Sequence, residues 1–235
     1  MTKIMGIDIE ELTDKFPAAA EYMIEIFIIE RDYGIVKNSV IASRLKVSKP
    51  AVTQAMNRLK KYELIEQDLY GAIRMTEVGR VTAARLLKRH YLIERLLVEE
   101  LDFHWVKSDV EASRLQAAIS DDFSYFLFDK LGRPDTCPHG NPFPGSAREK
   151  EILAAPRLCT AGIGDKLSVV RITEEGEAAE GLLQFCYEHN IRPGRTLEIV
   201  EECGEAGIIV LLEGEKELEI PRCFAEFICC SGGQG

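Results

Sequence analysis

The sequence has no uninterrupted apolar run near the roughly 18 residues that a bilayer-spanning helix needs, so a transmembrane helix is not expected. Its first residues, MTKIMGIDIEELTDK, mix charges into the opening turns and contain no apolar stretch before a small-residue cleavage site; a secretory signal is not expected, and a cytoplasmic location is. It has no CxxC pair, and its seven cysteines are odd in number and irregularly spaced. A disulfide scaffold or zinc ribbon is therefore not expected, and free thiols are the default. Also missing are a phosphate-binding glycine loop, an HExxH helix and a nucleophile–His–acid pattern, which leaves no basis for an enzyme. What is present is an ordinary globular composition, 46% hydrophobic and 29% charged over 235 residues, enough for one large domain or two small ones.

Charge is distributed unevenly. The net charge is −10, yet between Lys37 and Arg89 there are twelve basic and four acidic residues, so that segment carries +8 and the remainder −18. Such asymmetry predicts a polyanion-binding region joined to an acidic remainder.

Four zones follow from pattern and punctuation. Residues 8–35 are amphipathic, with Ala20, Met23, Ile24, Phe27 and Ile28 at helical spacing. Residues 38–76 read as two short helices and a hairpin: a helix over Ser39–Leu45, a turn at Lys46-Val47-Ser48, and a second helix capped by Ser48 with Pro50 in its tolerated first turn. Strand-like runs at 64–67 and 72–75 flank Asp68-Leu69-Tyr70-Gly71. A long helix is predicted from Glu77 to about Leu101 and another over about 107–131, with His104-Trp105 as the turn and Trp105 in the core of this helical domain. Residues 133–148, with four prolines and two glycines, exclude helix and predict a linker. From about 155 onward, strands near 169–172, 196–200, 207–212, 218–220 and 224–229 surround a short helix at 177–189, the pattern of a small SH3-like β-barrel.

Helix, turn, helix and hairpin in that order describe a winged helix-turn-helix. Its second helix must present small polar groups to the major groove and basic groups to phosphates. With Val52, Met56 and Leu59 as the buried stripe, Ser48, Lys49, Ala51, Thr53 and Gln54 face outward. Gln54 can bond adenine at two points, Ala51 or Thr53 can touch a thymine methyl, and Lys49 or Ser48 can hold a phosphate. Pro50 lies in the same turn, and Arg44, Lys46, Lys60 and Lys61 are candidate phosphate contacts on the flanks. The bland alternative is a three-helix domain with a solvated basic face. The hairpin and the +8 segment favour double-stranded DNA.

SVIASRLKVSKPAVTQAMNRLKKYELI, MTEVGRVTAARLLKRHYLIERLL, SRLQAAISDD and CPHGNPFPG together resemble the diphtheria toxin repressor family of iron- and manganese-dependent repressors. GDKLSVVRI, NIRPGRTLEIVEE and AEFI are similar to the SH3-like FeoA domain of its longer members. The resemblance implies a homodimeric, metal-responsive repressor of metal-homeostasis genes, mainly α with a small β-barrel. Its implied parts are a winged helix-turn-helix over 1–76, a helical dimerisation and metal-site domain with a Pro/Gly linker over 77–148, and an SH3-like FeoA domain over 149–235.

The resemblance also implies site residues. His90 and Glu94 match the ligands on the family's helix to an ancillary metal; four apart, they share a helix face, and imidazole with carboxylate suits Fe(II), Mn(II) or Zn(II). Asp109 stands where a histidine is usual. Glu21 falls at a methionine or acidic ligand of the primary site, and Glu180 and Gln184 are the nearest candidates in the FeoA-like part. Ser113, Gln116 and Ala117 occupy positions where the family has a cysteine or glutamate, a glutamate and a histidine. A hydroxyl and a neutral amide are weak ligands and alanine is none, so a normal primary metal site is not expected, and Ser113 and Gln116 read as polar fillers of a vestigial pocket.

The sequence is also compatible with two rival functions. One is a winged-helix repressor gated by another ligand or by thiol oxidation, through Cys229-Cys230, Cys223, or Cys137 with His139. Against it, Cys223 and Cys229 read as small hydrophobes in strands, and Cys137 and His139 as incidental linker residues. The other is an iron-transport accessory module that binds a protein partner through the FeoA-like part.

Overall fold

The computed structural model describes residues 6–68, 71–202, 204, 206–212 and 216–232. No helix among them is long and apolar enough to cross a membrane. The chain divides into two compact units, one formed by residues up to Leu97 together with Ser108–Arg133, the other by Val98–Lys107 together with the chain from Pro134 onward.

The first unit opens with α1 (Ile9–Lys15) and α2 (Ala19–Tyr33), so the amphipathic zone is two helices broken at Phe16-Pro17. Next come α3 (Asn38–Arg44) and α4 (Lys49–Lys61). Lys46, at φ 53°, takes the left-handed conformation that ends α3, and the Val47 amide donates back to the Ala42 carbonyl (3.0 Å). Ser48 then caps α4, its hydroxyl accepting from the Ala51 amide at 3.3 Å. Val52, Ala55, Met56 and Leu59 are buried at helical spacing, as expected of the second helix. They share a core with Met23 and Ile26 of α2 and with Ile41.

The hairpin follows as β1 (Ile65–Gln67) and β2 (Ile73–Met75), antiparallel with Ile65 opposite Met75. Leu69 and Tyr70 of its tip lie outside the described residues. Val36 adds a bridge to Ile73. α5 (Glu77–Arg95) starts at Thr76, whose Oγ1 accepts from the Gly79 amide (3.0 Å) and donates to the Glu63 carbonyl (2.7 Å). At Gly79 a Cβ would come within 1.9 Å of the Leu64 carbonyl oxygen, so only glycine lets α5 sit directly on the hairpin's base.

α5 stops earlier than expected. Its last turn widens into a π-helical turn over Leu96–Glu100, and Asp102 has φ 50°. The next helical stretch is also two elements, α6 (Ser108–Leu115) and α7 (Asp121–Lys130). Ser120 makes the break: its hydroxyl accepts from the Phe123 amide (3.2 Å), with Asp121 and Asp122 in the first turn of α7.

The second unit is built on one antiparallel sheet. After the short α8 (Glu149–Leu153) come β3 (Lys166–Ile172), α9 (Glu174–Glu177), α10 (Leu182–Glu188), β4 (Thr196–Glu202), β5 (Gly207–Leu212), β6 (Lys216–Pro221), α11 (Arg222–Ala225) and β7 (Ile228–Gly232). The strand order is β6-β5-β4-β3-β7, with β6 and β7 at its two ends; outside β7, Arg157 bridges to Cys229 and the Cys230 amide donates to the Pro156 carbonyl at 2.9 Å. Leu167, Val169, Leu197, Ile199, Ile208 and Val210 alternate into the core against Leu182, Leu183 and Cys186 of α10. The run 224–229 is a strand only at its end, because the chain forms the helical turn α11 straight after Pro221.

Two other expectations change here. Trp105 belongs to the core of this β unit, with Leu158 and Leu182, because its indole NH donates to the Pro138 carbonyl at 3.2 Å. The Pro/Gly stretch is helix-free but firmly packed: His139 and Asn141 are fully buried, Asn141 Nδ2 donates to the Ile172 carbonyl (2.8 Å), and a Cβ on Gly140 would lie 2.2 Å from the Val170 carbonyl oxygen.

Candidate metal centre and nucleic-acid face

Three potential ligands meet between α5 and α6. His90 and Glu94 sit one turn apart on α5, and Asp109 enters from the first turn of α6. Glu94 is fully buried, His90 nearly so, and the Asp109 side chain keeps partial access to solvent. His90 Nε2 is 3.3 Å from Asp109 Oδ1 and 3.8 Å from Glu94 Oε1, and one donor atom from each of the three residues lies within 4.8 Å of the others. Ligands about 2.1 Å from a shared tetrahedral ion stand about 3.4 Å apart, so an imidazole and two carboxylates here fit a small divalent transition metal.

The electrostatics of the site suit the same use. Burial alone would lower the His90 pKa, but its hydrogen bond to Asp109, the charge of Glu94 and Asp109, and a hydrogen bond to Gln116 together raise it to about 9. Around neutral pH, then, a proton occupies the place where a cation would sit between imidazole and carboxylates.

The other expected ligands are placed differently. Glu21 is exposed on α2 and belongs to no group of three His, Cys, Asp or Glu donors among the described residues. In the second unit Glu180 and Gln184 are exposed, and Gln184 donates to Glu188 of its own helix at 2.7 Å. Ser113 is half-buried, and Ala117 packs against the core of the first unit. Gln116 is more than a filler. It is 2% exposed, and its Oε1 lies 2.9 Å from His90 Nδ1. No local sequence signal announces that bond across 26 residues.

On the opposite function, α4 turns Ser48, Lys49, Pro50, Thr53 and Gln54 to the exterior, with Ala51 half-buried. Lys49, Thr53, Gln54 and Lys61 line one cleft together with Asn57, a polar residue that sequence reasoning passed over although it lies one turn beyond Thr53. Lys60 lines a neighbouring groove with Lys37, Asn38 and Gln67, between α4 and the hairpin. Lys46 is exposed in its turn. Arg44, expected at a phosphate, is half-buried and paired with Glu25, its guanidinium 6.0 Å from the Tyr33 ring. Arg58 bonds the Lys15 carbonyl and covers the Phe16 ring at 4.2 Å. Both staple helices together.

α7 is docked on α5 by Asp121, which pairs with Arg85 and accepts from Arg89 Nη2 at 2.9 Å; those guanidinium groups hold its carboxyl below the usual range against the opposing effect of burial. Lys88 lies 3.7 Å over the Phe128 ring. Phe123, Tyr125 and Phe126 are left exposed, the latter two at 62%, with Val110 and Leu115 of α6 also exposed.

Fold and site together define a winged-helix protein with a buried histidine–carboxylate centre. The comparisons agree in all parts of the chain. Residues 16–73 match the family described as iron dependent repressor, N-terminal DNA binding domain; residues 76–145 match its metal binding and dimerisation domain; residues 157–231 match the FeoA domain. The chain belongs to the iron-dependent repressor family, whose members are DNA-binding transcriptional repressors rather than enzymes. It is 26% identical over 219 residues to the iron-dependent repressor IdeR of Mycobacterium tuberculosis, covering 88% of this chain and 94% of the relative. It is 27% identical over 206 residues to the diphtheria toxin repressor of Corynebacterium diphtheriae, covering 85% and 90%. Among solved structures, a manganese-dependent transcriptional repressor in complex with manganese superposes with a TM-score of 0.80 at 26% identity, covering 91% of this chain and 99% of that one. The IdeR of T. acidophilum gives 0.72 at 25%, covering 91% and 97%.

Proposed function

We propose that this protein is a metal-responsive, homodimeric transcriptional repressor that binds a pseudo-palindromic operator through residues 48–54. The observation that carries the reading is the His90–Glu94–Asp109 cluster, in the same compact unit as the outward polar face of α4. Fe(II) or Mn(II) is the metal, in keeping with the donor set and with the iron- and manganese-dependent relatives.

His90, Glu94 and Asp109 would hold a divalent ion there, and its charge would offset that of the two carboxylates. The chain's own residues do the rest. α5 is one continuous helix from the hairpin, where Thr76 and Gly79 meet Glu63 and Leu64, to the cluster at His90 and Glu94. At about 1.5 Å per residue, the fifteen steps from Gly79 to Glu94 make a lever of about 22 Å. A change in how α6 is held against α5 therefore reaches the reading head, and only differential metal affinity for the DNA-competent arrangement can drive the shift. The exposed aromatic face of α7 suits a two-fold dimer contact, which sets the spacing of two reading heads on successive major grooves.

We retain three functional parts: a winged helix-turn-helix over 1–76, the dimerisation and metal-site segment over 77–148, and an SH3-like FeoA domain over 149–235, with the cytoplasm, where operator DNA lies, as its location. Thiol gating is the weaker reading. Burial pushes the Cys186 and Cys230 thiols up to about 12, which leaves them protonated and unreactive, and Cys229 is also buried. Cys223 is exposed on α11, not in a strand; Cys203 lies outside the described residues. Operator binding titrated with Mn(II) in the unsubstituted chain and in Glu94→Ala tests the proposal: metal-dependent binding lost in the variant supports it, and binding indifferent to metal in both removes it.

A further inference from the structure

We propose that Gln116 is a positioning residue for the metal centre: its amide oxygen holds a proton on Nδ1 of His90 and thereby presents the other ring nitrogen, Nε2, to the metal. The inference rests on the metal reading above and concerns a residue that supplies no ligand atom to the described donor group.

An imidazole that binds a metal has one nitrogen left over, and the partner of that nitrogen decides which tautomer is present. In this site the two nitrogens have different surroundings. Nε2 faces the two carboxylates, Asp109 at 3.3 Å and Glu94 at 3.8 Å. Nδ1 faces the amide oxygen of Gln116 at 2.9 Å. Oxygen cannot donate, so this contact is a hydrogen bond only when Nδ1 carries the proton; without it, two lone pairs would oppose each other at hydrogen-bond distance. With the proton on Nδ1, the lone pair of neutral imidazole lies on Nε2, toward the carboxylates.

Gln116 is fixed in this task. It follows the last residue of α6, its amide donates to the Ala112 carbonyl at 2.9 Å, and its side chain is buried. Rotamer freedom is thus lost on folding rather than on metal binding. An amide also brings an acceptor without a charge. The donor set stays at one imidazole and two carboxylates, which a divalent ion neutralises, whereas a carboxylate at this position would add a third anion beside a fully buried Glu94.

The test uses the full-length chain with Mn(II) titration for affinity and nitrogen NMR of the Zn(II)-loaded protein for the His90 ring. Gln116→Leu removes the acceptor at similar volume, and Gln116→Glu keeps an acceptor oxygen. The expected results are metal on Nε2 with a slowly exchanging proton on Nδ1 in the unsubstituted chain, Mn(II) affinity weaker by about 10–100-fold in Gln116→Leu with faster exchange of that proton, and recovery of most of the loss in Gln116→Glu. Metal on Nδ1, or Gln116→Leu binding Mn(II) as tightly as the unsubstituted chain with the Nδ1 proton unchanged, overturns the inference. If Gln116→Leu does not fold, the ring spectrum of the unsubstituted chain decides by itself. Failure of the underlying reading looks different: the unsubstituted chain would then take up no metal, and both ideas would fall. A chain that loads Mn(II), loses it in Glu94→Ala and keeps it in Gln116→Leu removes only the role of Gln116.

Discussion

His90 Nε2 stands 3.3 Å from the Asp109 carboxylate, between α5 and α6, and most of the ring is buried. In the metal-free protein that contact is an ion pair, and it makes the stability of the fold depend on pH. The folded pKa of His90 is about 9, against 6.5 as its reference value. A raised histidine pKa stabilises the folded chain fully below the unfolded value, and the contribution is lost as pH rises through the folded one. Urea unfolding of chelator-treated protein should therefore show a falling midpoint between about pH 6.5 and 9, with a total loss on the order of 3 kcal/mol. Asp109→Asn should flatten that dependence. A midpoint that rises over the same interval would contradict the assignment.

The same proton competes with the metal. Mn(II) uptake should release a proton below about pH 9, so apparent affinity should rise by up to about tenfold per pH unit between 6.5 and 9. Calorimetry in buffers of different ionisation enthalpy measures the released proton directly.

Of the three glutamates that the resemblance brings to the metal, Glu94 and Glu21 should behave in opposite ways. Glu94 is fully buried within the cluster and Glu21 is exposed on α2. Glu94→Gln removes an anionic oxygen and should weaken Mn(II) binding by at least about 100-fold, more than the loss usual for an outer partner of a ligand. Glu21→Ala should leave affinity within about a factor of two, the size of a distant surface charge effect. Electron paramagnetic resonance of free Mn(II) reads both.

On the nucleic-acid face, exposure separates three residues with similar sequence credentials. Gln54→Ala should relax preference at one base position by about 1–3 kcal/mol, and Lys61→Ala should weaken all sequences alike and reduce the salt slope by about one. Arg44→Ala should instead lower folding stability, because its guanidinium is spent on Glu25 and Tyr33 inside the unit. Binding isotherms at several salt concentrations, set beside thermal melts, distinguish these outcomes.

The aromatic face of α7 gives a further test. Phe126, 62% exposed beside Phe123, should tolerate aspartate as a folded monomer while losing self-association. Sedimentation of Phe126→Asp should then report the mass of one chain with unchanged circular dichroism. A persistent dimer would move the contact elsewhere.

Much of the fold could be read directly from local chemistry. Ser48 and Pro50 announce the start of α4, and Val52, Met56 and Leu59 declare its buried side, because a cap and a helical period act within a few residues. Breaks were less legible. The stop of α6 and the restart at Ser120 escaped notice because the sequence SDDF is a capping signal set inside a longer helical pattern, and the π-turn after Arg95 has no compositional mark. Trp105 packs in the core of the β unit rather than the helical one for a related reason: hydrophobicity says that a side chain is buried, not against what.

His90 and Glu94 could be paired from sequence alone, since a four-residue spacing on one helix brings side chains to the same face whatever the rest of the chain does. Asp109 could be aligned with them but not placed, and the partner of the second imidazole nitrogen could not be named at all. The amide of Gln116 reaches His90 because α6 packs back across α5 and ends where it does. Contacts separated by dozens of residues depend on helix crossing, on where a helix stops and on which rotamer the surrounding atoms leave open, and those are decided only when the whole unit is packed.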